Sequence, residues 1–412
     1  MWQFLKSKRF WIIGLVILAV ILISWFLYLW LRPTVQPSGT TPGGQTGFPT
    51  TGPGTGTTVE PGTGNLPGTD TTTPGGIGTS PGQTSPVETS PLVTTDPAVK
   101  PDTSSGRLRY YNPQDCKFYE IDASGVKRVI NQTDYCSVQN ITWAQDSGKA
   151  VLEFPDGANV VYDFKTKKQY TLPKEMTEFS FSPDSSQIAG KYLADSVNDR
   201  WVVTINSDGS GLTGVEPMGE NASKVKVEWA PNNQVVALSA TGTDNTAFSQ
   251  QILLIGFHQE NFKGLYVDGR GFNAQWTPDG QKLLYSVYSD KTDFKPTLWL
   301  TNASTDNVGT GKRQLNIATW ADKCTIVGES AYCSAPQQMP QGAGLVPELA
   351  VGQPDDIWKV DLKTGSTILL SSPINDQGQG ISVGSLTISK DGRWLYFTDS
   401  GTRQLRSVKL TD

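Results

Sequence analysis

A short unit that occurs six times along the chain constrains the fold more than any other feature. In each copy an apolar residue ends a short strand, a turn rich in Pro, Asp, Asn and Gly follows, and a second apolar strand returns. The residues that end the first strand of each copy are Trp143, Phe181, Trp229, Trp276, Trp320 and Ile388. Successive copies are 38, 48, 47, 44 and 68 residues apart, which is typical of four-stranded propeller blades with one enlarged member.

Both ends of the repeat region contain three further strand-like segments. They are RLRYYN, CKFYEID and VKRVIN from Arg107 onward, and SLTIS, RWLYFTD and QLRSVKL near the C-terminus. We therefore predict an all-β fold, a β-propeller of four-stranded blades, over residues 107–412. If the two ends form separate blades the ring has seven blades, which we favour, and if they share strands it has six.

An apolar segment near the N-terminus predicts a membrane anchor. Residues 10–31 read FWIIGLVILAVILISWFLYLWL, with no charged side chain, and at about 1.5 Å per residue they are long enough to span a bilayer as a helix. The segment ends in Tyr28, Leu29, Trp30 and Leu31 instead of the small residues of a cleavage site, so we expect an uncleaved signal anchor instead of a removed signal peptide. Basic residues concentrated in residues 1–9 place that end in the cytoplasm and the rest of the chain outside it.

The composition between the anchor and the repeats predicts a stalk. Residues 32–106 are dominated by Thr, Gly, Pro, Ser and Gln, a composition that buries too little apolar surface to fold. We expect a disordered linker with a root-mean-square span of roughly 50 Å. The remaining domain, residues 107–412, carries a net charge of −5, because residues 1–32 contribute +4 and residues 33–106 contribute −4 to the total of −5. Since it shows no clustered Lys and Arg, nucleic acid is excluded as an expected partner.

Two of the hairpin copies identify a resemblance. Phe181 to Ile188 and Trp276 to Leu283 resemble the (W/F)-S-P-D-G-x-x-(I/L) hairpin of TolB-type and dipeptidyl peptidase IV N-terminal-like propellers, the WD40-like or PD40 repeat. Together with the anchor, the chain resembles a group of membrane-anchored bacterial propellers. The resemblance implies the fold but no particular activity, because such propellers serve as binding platforms, scaffolds and enzyme appendages.

Catalytic and metal motifs are missing from the predicted propeller. His258 is the only His of the chain, and the only G-x-S-x-G match, Gly78 to Gly82, lies in the predicted stalk, where no nucleophile elbow can form. One His and four Cys match no zinc pattern. We therefore predict no enzyme, no cofactor and no metal. An enzyme or enzyme-accessory domain with a site in the central channel is the alternative.

The four Cys predict two disulfides, because an exported domain lies where disulfides persist. In CTIVGESAYC a turn at Gly328 and Glu329 places Cys324 opposite Cys333, at a position where cross-strand side chains are close. By elimination Cys116 pairs with Cys136. The alternative is four free thiols.

Long connections between the second and third strands indicate where a partner would bind. The longest begins at Ala335, and connections of one class emerge on one face of a propeller. The candidate binding residues in it are Gln337, Met339, Leu345, Val346 and Leu349. We expect a non-catalytic platform that binds a protein or glycan at the cell envelope, and the alternative reading is that these loops are neutral surface insertions.

Overall fold

A computed structural model describes residues 87–244 and 246–410 of the chain. The predicted cytoplasmic N-terminus, the anchor and the predicted stalk up to residue 86 lie outside the described residues. The described part folds into seven β-sheets, which confirms the all-β propeller and the favoured count of seven blades. Its helical segments are short 3₁₀ turns, and none of them is long and apolar enough to cross a bilayer.

The strands are numbered in chain order, and each blade is given from its first strand outward. The first three blades contain β3 (Val99–Asp102), β4 (Leu108–Asn112), β5 (Lys117–Ile121) and β6 (Lys127–Val129); β7 (Asn140–Trp143), β8 (Lys149–Glu153), β9 (Asn159–Asp163) and β10 (Lys168–Leu172); and β11 (Met176–Phe181), β12 (Gln187–Tyr192), β13 (Trp201–Asn206) and β14 (Thr213–Pro217). The fourth and fifth contain β15 (Val225–Val227), β16 (Val235–Ser239), β17 (Gln250–Gly256) and β18 (Leu265–Val267); and β19 (Arg270–Trp276), β20 (Lys282–Tyr288), β21 (Thr297–Asn302) and β22 (Arg313–Gln314). The sixth contains β23 (Cys324–Val327), β24 (Ser330–Pro336), β25 (Asp355–Asp361) and β26 (Thr367–Ile374), and the seventh contains β27 (Val383–Ile388), β28 (Trp394–Asp399) and β29 (Gln404–Lys409). First strands of neighbouring blades contact one another, for example β7 with β11 and β27 with β3, so the first strands surround the central channel.

The segment before the first blade closes the ring. β2 (Leu92–Pro97) pairs antiparallel with β29 and supplies the fourth strand of the seventh blade. β1 (Val87–Thr89) pairs parallel with β26 as a fifth strand of the sixth blade. Residues 87–106, which composition assigned to the stalk, therefore contribute strands to the blades.

Hydrogen bonds hold this closing segment in place. The buried guanidinium of Arg406 donates from Nη1 to the carbonyl oxygen of Ser90 at 2.7 Å. The amide of Ser407 donates to the carbonyl oxygen of Pro91 at 3.1 Å, and the amide of Ala98 donates to that of Arg403 at 2.8 Å. Residues more than 300 positions apart in the sequence are thus joined directly.

Apolar side chains pack between neighbouring blades. A separate buried cluster fills each of the seven interfaces. β16 is buried at every position, because both faces of a blade pack on neighbours, and this explains its uninterrupted apolar run VVAL. The smallest cluster, Ala98, Leu108, Tyr110 and Leu405, lies between the seventh and first blades.

The turn chemistry of the repeat depends on a hydroxyl followed by an Asp two residues later. In the third blade Ser182 donates to Asp184 at 2.6 Å and accepts the amide of Gln187 at 2.9 Å, while Asp184 also accepts the amide of Ser186 at 3.1 Å. Thr277 with Asp279 and Ser389 with Asp391 form the same arrangement. These bonds satisfy turn amides that the strands leave unpaired, and they lower the pKa of the carboxyl groups of Asp184 and Asp391.

The sixth blade corrects one repeat assignment and confirms both disulfides. Trp320 does not end a first strand, because a 3₁₀ turn follows it and the first strand is Cys324–Val327. The predicted hairpin forms, with Cys324 paired to Cys333 at a Cα separation of 4.0 Å. Cys116 is bonded to Cys136 with a Cα separation of 4.7 Å.

Candidate functional site

The long connections between second and third strands meet on one face of the ring, called here the loop-rich face. Its four loops are residues 193–200, 240–249 (Asn245 is not described), 289–296 and 337–354. The rings of Phe248 and Phe294 lie 6.0 Å apart. The amides of Gly344 and Gly342 donate to the carbonyl oxygens of Phe294 and Asp293 at 2.7 and 2.9 Å. The last three loops therefore form a connected surface.

The longest loop carries an exposed apolar ridge, formed by Leu345, Val346, Leu349 and Val351. Their side chains are 54, 47, 48 and 76% exposed, and a 3₁₀ turn over Pro347–Ala350 lies among them. Contiguous exposed apolar surface on a soluble domain is typical of an interaction site. The sequence reasoning identified three of these side chains and missed Val351.

Buried contacts beneath the ridge fix the loop on the sixth blade. Met339, Ala343 and Ala350 form a small buried cluster against Trp320. Met339, one of the predicted binding-loop residues, packs inward and is 9% exposed. Gln337 is exposed, and its Nε2 donates to Asp356 at 2.9 Å, so it holds the base of the loop.

Gly344 lies at a close contact between the longest loop and the fifth blade. A Cβ at this position would lie 2.5 Å from Cβ of Tyr288 and 2.7 Å from the carbonyl oxygen of Phe294. Only glycine permits this approach of the longest loop to the fifth blade. The ridge is presented by a fixed loop whose shape is set before any partner binds.

The loop-rich face is acidic. Its four loops contain six acidic and three basic residues, a net charge of −3. They are Asp195, Asp199, Asp244, Asp290, Asp293 and Glu348, with Arg200, Lys291 and Lys295. Asp244 is paired with Arg270 at 2.8 Å.

A second polar group lies on the first and second strands of the second and third blades. Glu178 accepts a bond from Lys191 at 2.6 Å, and its side chain is half exposed while that of Lys191 is buried. Glu153 accepts from Asn140 at 2.6 Å. Burial raises the pKa of Glu153, the Asn140 bond opposes this, and the charge of Glu178 raises it further. The two carboxyl groups therefore repel each other across neighbouring blades, while Lys191 binds Glu178 within the third blade.

Two other acidic side chains, Asp355 and Glu228, form bonds between neighbouring blades. Asp355 is buried and accepts from Lys323 Nζ at 2.8 and 2.9 Å and from the amide of Val383 at 2.7 Å, which joins the sixth and seventh blades. Burial raises its pKa despite Lys323. Glu228 accepts the amide of Trp276 at 3.3 Å, joining the fourth and fifth blades. These residues connect blades and do not converge on a pocket.

The remaining sequence candidates form no catalytic group. His258 contacts Phe257 at 4.4 Å between ring centroids, and its backbone amide donates to Glu260 at 2.7 Å. The Gly78 to Gly82 motif lies outside the described residues. Among residues 87–244 and 246–410, no cluster of three or more His, Cys, Asp or Glu side chains is placed to hold a metal ion.

Comparisons with known proteins identify the fold alone. No family model and no curated protein matches the chain. Among solved structures it is similar to an oligogalacturonate lyase in complex with manganese, with a TM-score of 0.53 and 12% identity over 80% of this chain and 96% of that one. The Cps50 (Swd1) β-propeller domain of Myceliophteria thermophila has a TM-score of 0.53 and 11% identity over 78% of this chain and 100% of that one. An oligogalacturonate lyase from Vibrio parahaemolyticus has a TM-score of 0.51 and 10% identity over 78% and 93%. An enzyme and a Swd1 propeller domain thus share this architecture.

Proposed function

We propose that this chain is a single-pass, membrane-anchored propeller that holds a protein partner outside the cytoplasm through its loop-rich face. The observation that carries the proposal is the ridge, which consists of four exposed apolar side chains on a loop that buried contacts hold against the sixth blade. A preformed apolar surface loses little conformational entropy on binding, which favours affinity. The anchor and stalk come from the sequence, as does the resemblance to TolB-type and PD40 propellers.

The partner's chemistry follows from the ridge and its surroundings. The ridge projects from the domain, so it fits an apolar groove on the partner. The net charge of −3 on the loops favours a groove with a basic rim. It disfavours the anionic surface of a membrane leaflet as the occupant. We therefore choose a protein over a lipid surface.

The test compares two triple variants of the full chain, purified in detergent. Leu345→Ser, Val346→Ser and Leu349→Ser remove the ridge. Val129→Ser, Leu212→Ser and Ile368→Ser are the matched control, because those side chains are 47, 45 and 49% exposed but lie elsewhere. Partners are isolated from membranes by cross-linking, purified, and titrated back by calorimetry.

The ridge variant is expected to weaken binding of the purified partner by about 30-fold or more, since hot-spot side chains contribute about 2 kcal/mol or more each. The control variant is expected to bind within about two-fold of the wild type. Equal affinity of the two triple variants, or the absence of any protein that binds in purified form, would contradict the proposal.

A second candidate function is an enzyme with its site in the central channel. Glu153 and Glu178 favour it, because a carboxyl group with a raised pKa beside a second carboxyl group suits general acid and base roles. Oligogalacturonate is the first substrate to test, followed by a panel of chromogenic glycosides. Activity that disappears in both Glu153→Gln and Glu178→Gln would establish this function.

A further inference from the structure

A cleft of about 670 Å³ lies between the seventh and first blades, on the side opposite the loop-rich face. It opens beside the turns that follow the first strands of these two blades, near Gly106 and Lys390. This is the interface with the smallest apolar cluster in the ring, so the cleft exists where the blades pack least. Its volume is within the range of about 300–1,000 Å³ usual for ligand sites.

Two aromatic side chains with free polar atoms line one wall of the cleft. Trp394 and Tyr396 are both partly exposed. Within the described residues neither the indole Nε1 of Trp394 nor the hydroxyl of Tyr396 forms a hydrogen bond, although the ring of Tyr396 packs on the apolar cluster below. Amphipathic rings of this kind bind ligands that have an apolar face and polar edges.

The charges of the cleft balance. Arg107 and Lys390 are matched by Asp122 and Asp391, so the site has no net preference for an anion or a cation. Arg107 is already paired with Glu120 at 2.5 Å, and Asp122 accepts from Ser124. One oxygen of Asp391 is used by Ser389 and Arg393, and its Oδ2 accepts no hydrogen bond from a described residue.

We propose that this cleft binds a neutral oligosaccharide. The apolar C–H face of a sugar ring stacks on Trp394, and sugar hydroxyls bond to the Trp394 Nε1 and Tyr396 hydroxyl donors and to Asp391 Oδ2. An uncharged, hydroxyl-rich ligand suits a cleft with balanced charge, an aromatic wall and unused hydrogen-bonding atoms.

Binding in this cleft also stabilises the ring closure. The ligand contacts both the seventh and the first blade, and Val93 of the closing strand β2 lies in the cleft wall. A ligand that binds the folded state raises the thermal midpoint by mass action. The midpoint therefore provides a readout that is independent of the protein partner on the loop-rich face.

The test presents the full chain in detergent to an array of β-glucan, chitin, mannan and galactan oligomers, with oligogalacturonate and sulfated glycans as acidic probes. Binding is quantified by calorimetry and by the thermal midpoint. Trp394→Ala removes the ring and its donor, and Trp394→Phe keeps a smaller aromatic ring but removes the donor. Phe262→Ala is the control, since Phe262 lines a different cleft, of about 480 Å³, between the third and fourth blades.

We expect at least one neutral oligomer to bind below about 1 mM and to raise the midpoint. Trp394→Ala is expected to weaken it by about ten-fold or more, Trp394→Phe by a smaller factor of about three, and Phe262→Ala by less than about two. Binding of acidic probes alone, no neutral binder, or equal affinity in both Trp394 variants and the wild type would overturn the proposal. The ridge triple variant is expected to keep glycan binding, so the two proposals fail separately.

Discussion

Removal of the closing segment tests how the ring is held together. Two soluble forms of the domain are compared, one beginning at Val87 and one beginning at Ala98. The shorter form lacks β1 and β2, which leaves the seventh blade with three strands. Both forms keep the four Cys, so the disulfides contribute equally to each.

The cost follows from the hydrogen bonds that disappear. The bonds of Ser90 to Ile374, Ser407 to Pro91 and Gln404 to Thr95 are neutral, at about 1 kcal/mol each, and the bond of Arg406 to Ser90 contributes about 2 kcal/mol because its donor is charged. These four bonds amount to about 5 kcal/mol, to which the ladder pairs of β1 with β26 and of β2 with β29 add, against a typical total stability of about 5–15 kcal/mol. The shorter form is therefore expected to unfold at a much lower urea concentration.

Urea unfolding followed by tryptophan fluorescence gives the free energies. A peptide of residues 87–97 added to the shorter form is expected to recover part of the loss, because it binds only the folded edge. Free energies of unfolding that agree within about 1 kcal/mol, with no response to the peptide, would refute the closure of the ring by this segment.

Three further predictions concern stability and topology. Replacing Cys116 and Cys136 by Ser is expected to lower the free energy of unfolding by about 3 kcal/mol, and replacing Cys324 and Cys333 by about 2.5 kcal/mol, since the closed loops span 20 and 9 residues. Denaturant titration measures both losses. A larger loss for Cys324 and Cys333 than for Cys116 and Cys136 would contradict the prediction. Burial raises the pKa of Glu228 above its usual 4.5, so above pH 4.5 the folded state binds more protons than the unfolded state and stability falls as pH rises through this window. Glu228→Gln removes this dependence of stability on pH, so the free energy of unfolding of the variant minus that of the wild type is expected to increase from pH 4.5 to 8. A difference that stays constant over this range would contradict the prediction. Protease added to intact spheroplasts is expected to digest the propeller and spare a tag on residue 1, whereas a protected propeller would contradict the predicted orientation.

The blades were predictable because their signal is local. The hydroxyl and Asp of turns such as Ser182 to Asp184 occur within one hairpin and satisfy its amides there, so sequence spacing alone identifies the unit. The Cys324 to Cys333 pairing was predictable for the same reason. Trp320 was assigned wrongly because WADK resembles the turn that follows a first strand, whereas here it forms a 3₁₀ turn that precedes the first strand.

The start of the domain was not predictable from composition. Residues 87–106 contain the Thr, Pro and Ser typical of the stalk, and β2 becomes a strand only because the edge of β29, more than 300 residues later, pairs with it. Such a partner leaves no local periodicity in the sequence. A strand that forms only by pairing with a strand distant in the sequence cannot be predicted from short sequence windows.

The exposure of individual side chains on the longest loop was not predictable from the sequence. Loop length indicated the region of the ridge, whereas the inward direction of Met339 depends on its contact with Trp320, which an irregular loop sequence does not encode. The repulsion between Glu153 and Glu178 acts between two blades and depends on the ring geometry. The cleft between the seventh and first blades needed the closing segment in position.

The central claim, that the ridge contacts a protein outside the cytoplasm, is tested most directly by site-specific photo-cross-linking in intact cells. A photoreactive phenylalanine replaces Val346 on the ridge or, as the control, Val129, since both side chains are 47% exposed. The account predicts one discrete protein adduct from position 346 and none from position 129. Adducts of equal yield from both positions, or from neither, would contradict it.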